Sequence, residues 1–155
     1  MTDFLYDTNP ELYFRQLNDE LPFAGELRQE LSEKKESFAD CLFRLMRENG
    51  IKSQAELTAG KRRTGVSKAV ISKWINNRDP YKTPDKATVY ALIISAHLSL
   101  SQAAALLKSA NLAFGHNPED IIVQSFVRNQ MYDLDKLNEV VYDVTHRTLI
   151  NRKDN

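Results

Sequence analysis

The residue types and spacings that point most clearly to chemistry lie in GVSKAVISKWINN, residues 65–77. On a helix capped by Ser67 and running to about Asn76, Ile71 and Trp74 fall three apart on one face and join Val66 in a core. Lys68, Ala69, Val70, Ser72 and Lys73 are left on the other faces. A small, basic surface of this kind suits the base edges of a major groove. Small side chains let the backbone approach, Ala69 and Val70 can touch a thymine methyl, and a lysine can donate to O6 or N7 of guanine. The helix N-terminus adds partial positive charge near phosphates. An ordinary short helix with a solvated basic face is the bland alternative. Cap, spacing and charge agree independently on the sharper one.

The charge distribution supports it. The 155-residue chain carries 21 basic and 21 acidic side chains, so net charge alone suggests no polyanionic partner. Residues 1–60 hold seven Lys/Arg against twelve Asp/Glu, and residues 87–155 hold six against seven. Between them, Lys61, Arg62, Arg63, Lys68, Lys73, Arg78, Lys82 and Lys86 face only Asp79 and Asp85. A local basic patch is what a polyanion responds to. Lys61, Arg62 and Arg63 either contact phosphate or form a solvated loop. Trp74 reads as a core residue, since a duplex offers no free base to stack on. The acidic N-terminal part is either a contact surface or a shield for the basic patch.

Other chemistries find less support. His97, His116 and His146 are far apart, and none has metal-ligand spacing with Cys41. Cys41 sits on an apolar face without a neighbouring histidine and reads as packing. Among Asp133, Asp135, Glu139 and Asp143, the first reads as a helix cap and the rest as exposed carboxylates. No phosphate-cradling glycine loop or nucleophile elbow is present in the sequence. The expectation is a protein that is not an enzyme and needs no metal or cofactor. One cysteine permits no internal disulfide, which predicts a reducing compartment. With no secretory pattern at the start and no apolar run of spanning length, the expectation is a cytoplasmic protein without a membrane partner.

The elements that must position these residues read as helices. Apolar content is 42%, Gly and Pro number five each, and long alternating β-type runs are missing. In residues 1–36, Tyr13, Phe14, Leu17 and Leu21, then Leu27 and Leu31, fall at roughly helical spacing, with Pro22 and Gly25 between. They predict two short helices packed on the body, or an arm that orders in a dimer. From Ser37, the residues Phe38, Cys41, Leu42, Leu45 and Met46 form an apolar face ended by Asn49-Gly50. Ser53-Gln54-Ala55-Glu56 is a capping box opening a second helix to about Ala59. After the third helix, Thr83 is expected to cap a fourth with Pro84 at its first position, and the apolar residues 89–98 make it the most buried element. Ser99 and Gln102 form a second capping box, with Ala103, Leu106 and Leu107 inward. Asn117-Pro118 opens a helix bearing Ile121, Ile122 and Phe126. Asp133 caps one carrying Leu134, Leu137, Val140, Val141 and Val144.

Together, SQAEL and GVSKAVISKWINN resemble the phage-repressor type of helix-turn-helix, the lambda-repressor-like or XRE family, over residues 37–110. The resemblance implies an all-α protein: a five-helix lambda-repressor-like domain over residues 37–112, flanked by an N-terminal helical arm (1–36) and a C-terminal helical extension (113–155). It implies that Gln54 grips a phosphate, that Lys68, Ala69, Val70, Ser72 and Lys73 read bases, and that Asn76, Asn77 and Arg78 contact the backbone. Ser53, Lys61, Arg62, Arg63 and Ser67 complete the expected phosphate set. Two departures stand out. Leu57 to Gly65 spans eight positions where the family has about five, so either the turn is a basic finger or the second helix is a turn longer. Ile75 stands where the family commonly has glutamate, which reads as local variation. The continuation, SLSQAAALLKSANLAF followed by PEDIIVQSFVRNQMYDLDKLNEVV, resembles a helical extension found behind such domains in some bacterial proteins, suited to dimerisation or partner binding. The implied function is a sequence-specific regulator of transcription, a repressor acting on double-stranded DNA as a homodimer. The competing expectation is an antitoxin-like or adaptor protein that binds another protein on the same scaffold.

Overall fold

The computed structural model describes residues 5–33, 35–58, 68–77, 79 and 81–150, with the backbone alone at Thr58 and Lys68. Among these residues the chain is all-α, with ten helices and no strand. In order they are α1 (Leu5–Thr8), α2 (Pro10–Leu17), α3 (Ala24–Ser32), α4 (Phe38–Glu48), α5 (Gln54–Thr58), α6 (Lys68–Asn76), α7 (Lys86–Ser95), α8 (Leu100–Ser109), α9 (Pro118–Arg128) and α10 (Leu134–Thr145). Two compact units contain them, α1–α3 in one and α4–α10 in the other. No helix among the described residues is long and apolar enough to cross a membrane.

The first unit has three helices where two were expected. Asn9 caps α2 by accepting the Leu12 N–H at 3.1 Å, with Pro10 at the first position. Tyr6, Tyr13 and Phe14 meet edge to face at 5.2–5.9 Å, and among the described residues of this unit only Phe14 and Ala24 are buried. Gly25 does not separate helices but lies in the first turn of α3, where its missing side chain costs least helix stability. Arg28 of α3 pairs with Glu11 of α2 at 3.0 Å, an exposed bridge contributing about 0–1 kcal/mol.

The second unit is organised around α7, which is buried from Val89 through Ser95. It packs on α8 and α10; α4 lies against α6 and α8, α5 against α6, and α9 against α8 and α10. Val89, Leu92, Ile93 and Ile94 are each sealed from solvent, and burying each stabilises by about 1.5–3 kcal/mol. Four helices of this unit stop in the same way. Gly50, His97, Asn111 and Gln130 adopt left-handed backbone (φ +75°, +54°, +59° and +55°). The following residue then donates back five positions: Ile51 to Met46, Leu98 to Ile93, Leu112 to Leu107 and Met131 to Phe126, at 2.8–3.1 Å. This is the Schellman stop, which satisfies the orphan carbonyls of the last turn. Ile51 and Leu98 drop into the core directly after it.

Helix starts follow capping chemistry, with one shift. Ser37, Ser99 and Asp133 accept the N–H groups of Asp40, Gln102 and Lys136, at the expected positions. The start of α7 is two residues later than expected. Asp85, not Thr83, is its cap and accepts the Thr88 N–H at 3.0 Å. An ionised carboxylate complements the helix dipole better than a neutral hydroxyl does. Pro84 is left buried just outside the helix. In α9 and α10 the inward stripes also differ from expectation. Asp120, Val123 and Val127 face inward in α9, leaving Ile121 exposed; in α10 Leu134, Leu137 and Val141 are buried, while Val144 is 55% exposed.

At the junction of α4, α7 and α8, Asn49 does more than end a helix. Its Nδ2 donates to Ala96 O, His97 O and Gln102 Oε1 at 3.1–3.2 Å. In return, Gln102 Nε2 donates to Asn49 Oδ1 and Glu48 Oε1.

Candidate functional site

Helix α6 is fixed along one stripe and bare along another. Ile71 and Ile75, four apart and therefore on one face, are buried in the main core and set α6 against α4 and α5. Trp74 is half-buried and meets Phe38 of α4 edge to face, with ring centroids 6.4 Å apart. Ile75 is thus an anchor, not a neutral variation, being only 3% exposed. The helix is held by Ile71 and Ile75 more than by the expected Ile71–Trp74 pair.

On the opposite stripe Ala69, Lys73 and Asn76 are exposed at i, i+4 and i+7, and Val70 and Ser72 are half-buried beside them. The Lys73 ammonium stands 4.9 Å from the centre of the Trp74 ring, a cation–π contact that steadies an exposed charge by about 0.5–1 kcal/mol. Asn76 Nδ2 donates to Ser72 O at 2.8 Å and to Ser72 Oγ at 3.2 Å, which leaves the serine proton directed elsewhere. Among the described side chains, this surface offers the Lys73 ammonium, the Ser72 hydroxyl, the Asn76 amide carbonyl, and Ala69 and Val70 as small apolar groups. It can hydrogen-bond acceptors and receive methyl groups. Lys68 has only its backbone described, and Lys61, Arg62, Arg63, Ser67 and Arg78 lie outside the described residues, as do Val66 and the insertion at 60–64.

The rest of the expected phosphate set falls on α5 and the loop after α6. Ser53 is exposed and its Oγ accepts the Glu56 N–H at 3.2 Å. Glu56 reaches back as the capping box requires, but its Oε2 takes the N–H of Lys52 at 2.8 Å, one residue ahead of the cap. Gln54 is half-buried at the first position of α5. Asn77 is half-buried and its Oδ1 accepts the Asp79 N–H at 2.9 Å, while Asp79 Oδ1 accepts the Tyr81 N–H at 2.9 Å. Both are local side-chain-to-backbone bonds spanning two residues. One basic residue leaves the patch. Lys86 Nζ pairs with Asp120 Oδ1 at 2.8 Å, and the Asp120 side chain is almost wholly buried.

That pair belongs to a polar cluster the sequence reading missed. Tyr90 donates its hydroxyl proton to Asp120 Oδ1, and Asn117 N–H donates to Asp120 Oδ2 at 3.3 Å. Burial alone would raise the Asp120 carboxyl, but Lys86 and the Tyr90 hydroxyl outweigh it and hold it below the usual carboxylate range. Burial, reinforced by Asp120, holds the Tyr90 phenol well above the ordinary tyrosine range. The spacing of an acidic residue three after Asn117 was the available signal. The cluster joins α7 to α9; Asp120 and Tyr90 are shut off from solvent, and Lys86 reaches it from the edge.

Nucleophile and ligand candidates are placed in structural roles. Cys41 is buried, and burial pushes its thiol up against a smaller lowering by Ser109. His97 stacks on Tyr132 with centroids 4.6 Å apart, and His146 ends α10 in left-handed backbone. Asp133 caps α10, and Asp135, Glu139 and Asp143 are exposed. Among the described residues no three His, Cys, Asp or Glu side chains gather as a metal site. Compared with known proteins, the chain matches no family model, no curated protein and no solved structure.

Proposed function

We propose that this protein is a sequence-specific double-stranded DNA-binding regulator of transcription, a repressor working as a homodimer, with α6 as the helix that enters the major groove. In this reading α4–α8 form a lambda-repressor-like domain, and α5 and α6 are the two halves of its helix-turn-helix. The observation that carries it is the anchoring of α6 by Ile71 and Ile75 while Ala69, Lys73 and Asn76 stay bare. Any helix packed by one face exposes the other; what favours the groove here is that the exposed side chains are small or hydrogen-bond donors. Lys68, Ala69, Val70, Ser72 and Lys73 choose the site; Ser53, Gln54, Asn76, Asn77 and the basic residues 61–63 and 78 hold phosphates. One short helix reads only a few base pairs, so two copies a helical turn apart are needed for a selective site.

Fluorescence anisotropy with a random duplex at about 50 and 200 mM salt tests the reading. Neutralising about five phosphates gives a log–log slope of about −4 to −5. Lys73→Ala lowers discrimination between preferred and random duplexes, whereas Arg62→Ala weakens both alike. Salt-insensitive or absent binding sinks the assignment. A second reading, a module that grips another protein, is favoured by Ile121, Tyr142 and Val144, all more than half exposed on α9 and α10. Those side chains are also where the proposed homodimer or a protein partner would dock, and Ile121→Glu would then change the sedimenting mass.

A further inference from the structure

Asn49-Gly50 is the chain's one Asn-Gly pair, and none of its other asparagines precedes glycine or serine. In an unconstrained chain such a pair readily loses its side-chain amide. A following residue without a side chain lets its backbone nitrogen reach the asparagine side-chain carbonyl carbon. Here Gly50 is exposed and Asn49 half-buried, so burial does not keep water from the pair. Hydrogen bonds restrain it instead. Asn49 Nδ2 donates to Ala96 O, His97 O and Gln102 Oε1 at 3.1–3.2 Å, and Asn49 Oδ1 accepts from Gln102 Nε2 at 3.1 Å. The Gly50 N–H donates to Arg47 O at 3.1 Å, and the Ile51 N–H closes the turn on Met46 O at 2.8 Å. The partners of the Asn49 amide lie 47 to 53 residues away in sequence. They hold it only while the end of α4 is docked where α7 meets α8.

We propose that Asn49 is a latent self-modification site, held shut by this junction and deamidated when the junction opens. On opening, the Gly50 nitrogen bonds to Asn49 Cγ, the Cγ–Nδ2 bond breaks, and ammonia leaves with the Gly50 proton. Water then adds to one or the other carbonyl of the five-membered imide. One ring opening gives aspartate, the other isoaspartate, whose backbone is one methylene longer. Neither product fits the closed junction. A carboxylate at position 49 has no proton to give the Ala96 and His97 carbonyls, and it would stand beside Glu48. The longer backbone displaces the turn through which Ile51 enters the core. The change therefore marks chains whose α4–α8 junction has opened and hinders their return.

Peptide mass spectrometry of the full chain in mildly alkaline buffer tests it, following amide-to-carboxyl conversion and isoaspartate at position 49. In denaturing guanidinium chloride Asn49 converts, and Gly50→Ala slows the conversion by about tenfold or more. Without denaturant the unaltered protein converts at least about tenfold more slowly, because only the opened fraction reacts. Gln102→Ala removes one side of the clamp; it speeds conversion without denaturant by about threefold or more and leaves the rate in denaturant unchanged. Asn49→Asp, standing for the product, lowers the urea midpoint by about 1 M. Equal rates with and without denaturant, a native rate indifferent to Gln102→Ala, or an Asn49→Asp midpoint within about 0.25 M of the unaltered protein overturns the proposal. Whether α6 faces DNA affects none of these outcomes.

Discussion

Replacing Asp120 with alanine removes a single carboxylate that serves three partners across two helices. The Tyr90 hydroxyl, on a side chain only 1% exposed, is stranded without an acceptor, which costs about 1–3 kcal/mol. Losing the acceptor for Asn117 N–H at the start of α9 adds about 0.5–1 kcal/mol. The Lys86 side chain is 32% exposed, so its ammonium can turn to water and the full cost of an orphaned buried charge is avoided. The expected loss is about 3 kcal/mol at pH 7. With a urea slope of about 2 kcal/mol/M, the midpoint falls by about 1.5 M, followed by far-ultraviolet circular dichroism. Tyr90→Phe alone costs less, and the double variant less than the sum, because both strike one network. The dependence on pH has a definite sign. A carboxyl held below its unfolded value of about 3.9 contributes stability above that pH and loses it as pH falls through the folded value. The gap between the unaltered protein and Asp120→Ala therefore narrows below about pH 4. Tyr90, held above its usual value, acts oppositely, its contribution present below about pH 10 and lost as pH rises further. A loss under about 1 kcal/mol at neutral pH, or strict additivity with Tyr90→Phe, would refute the reasoning.

Further outcomes follow from single positions. Gly115→Ala places a Cβ 2.6 Å from Asp120 Oδ2, which must displace the carboxylate and lower stability by about 2 kcal/mol in the same urea assay; an unchanged midpoint contradicts this. Gln130→Gly relieves a left-handed residue on an exposed turn and should raise stability by up to about 1 kcal/mol, seen as a Tm higher by a few degrees rather than lower. Ile75→Glu buries a carboxylate in the core and should cost about 4 kcal/mol or more, whereas Asn76→Glu beside it leaves the urea midpoint within about 0.25 M. Asn49→Ala removes the donor to the Ala96 and His97 carbonyls and should cost about 2 kcal/mol, with a smaller loss for Gln102→Ala.

Local chemistry was the legible part of this chain. Ser37, Ser53, Ser99 and Asp133 announce helix starts because a short side-chain oxygen is followed by a periodic apolar face, and the structure caps helices at those residues. The stop at Gly50 was legible for the same reason, but His97, Asn111 and Gln130 use an identical turn without a glycine to mark it. Thr83-Pro84-Asp85 offers two rival caps within three residues, and propensity alone does not choose between them. Ile75 was obscured by comparison with the family pattern, since its burial depends on how α6 rolls against α4 and α5. The bond of Asp120 to Tyr90 and the bonds of Asn49 to Ala96 and His97 were not legible because those partners lie 30, 47 and 48 residues away in sequence. The exposure of Ala69 and Lys73 on α6 could be read from periodicity, while the partial burial of Val70 and Ser72 could not.

The most direct test of the central claim is enrichment of bound sequences from a pool of random duplexes by the full chain at physiological salt. The account predicts convergence on a pseudo-palindrome whose half-sites are centred about 34–36 Å apart or a multiple of that, and loss of the preference when Lys73 is replaced. A pool that stays random after repeated rounds, or a consensus indifferent to every exposed residue of α6, would contradict it.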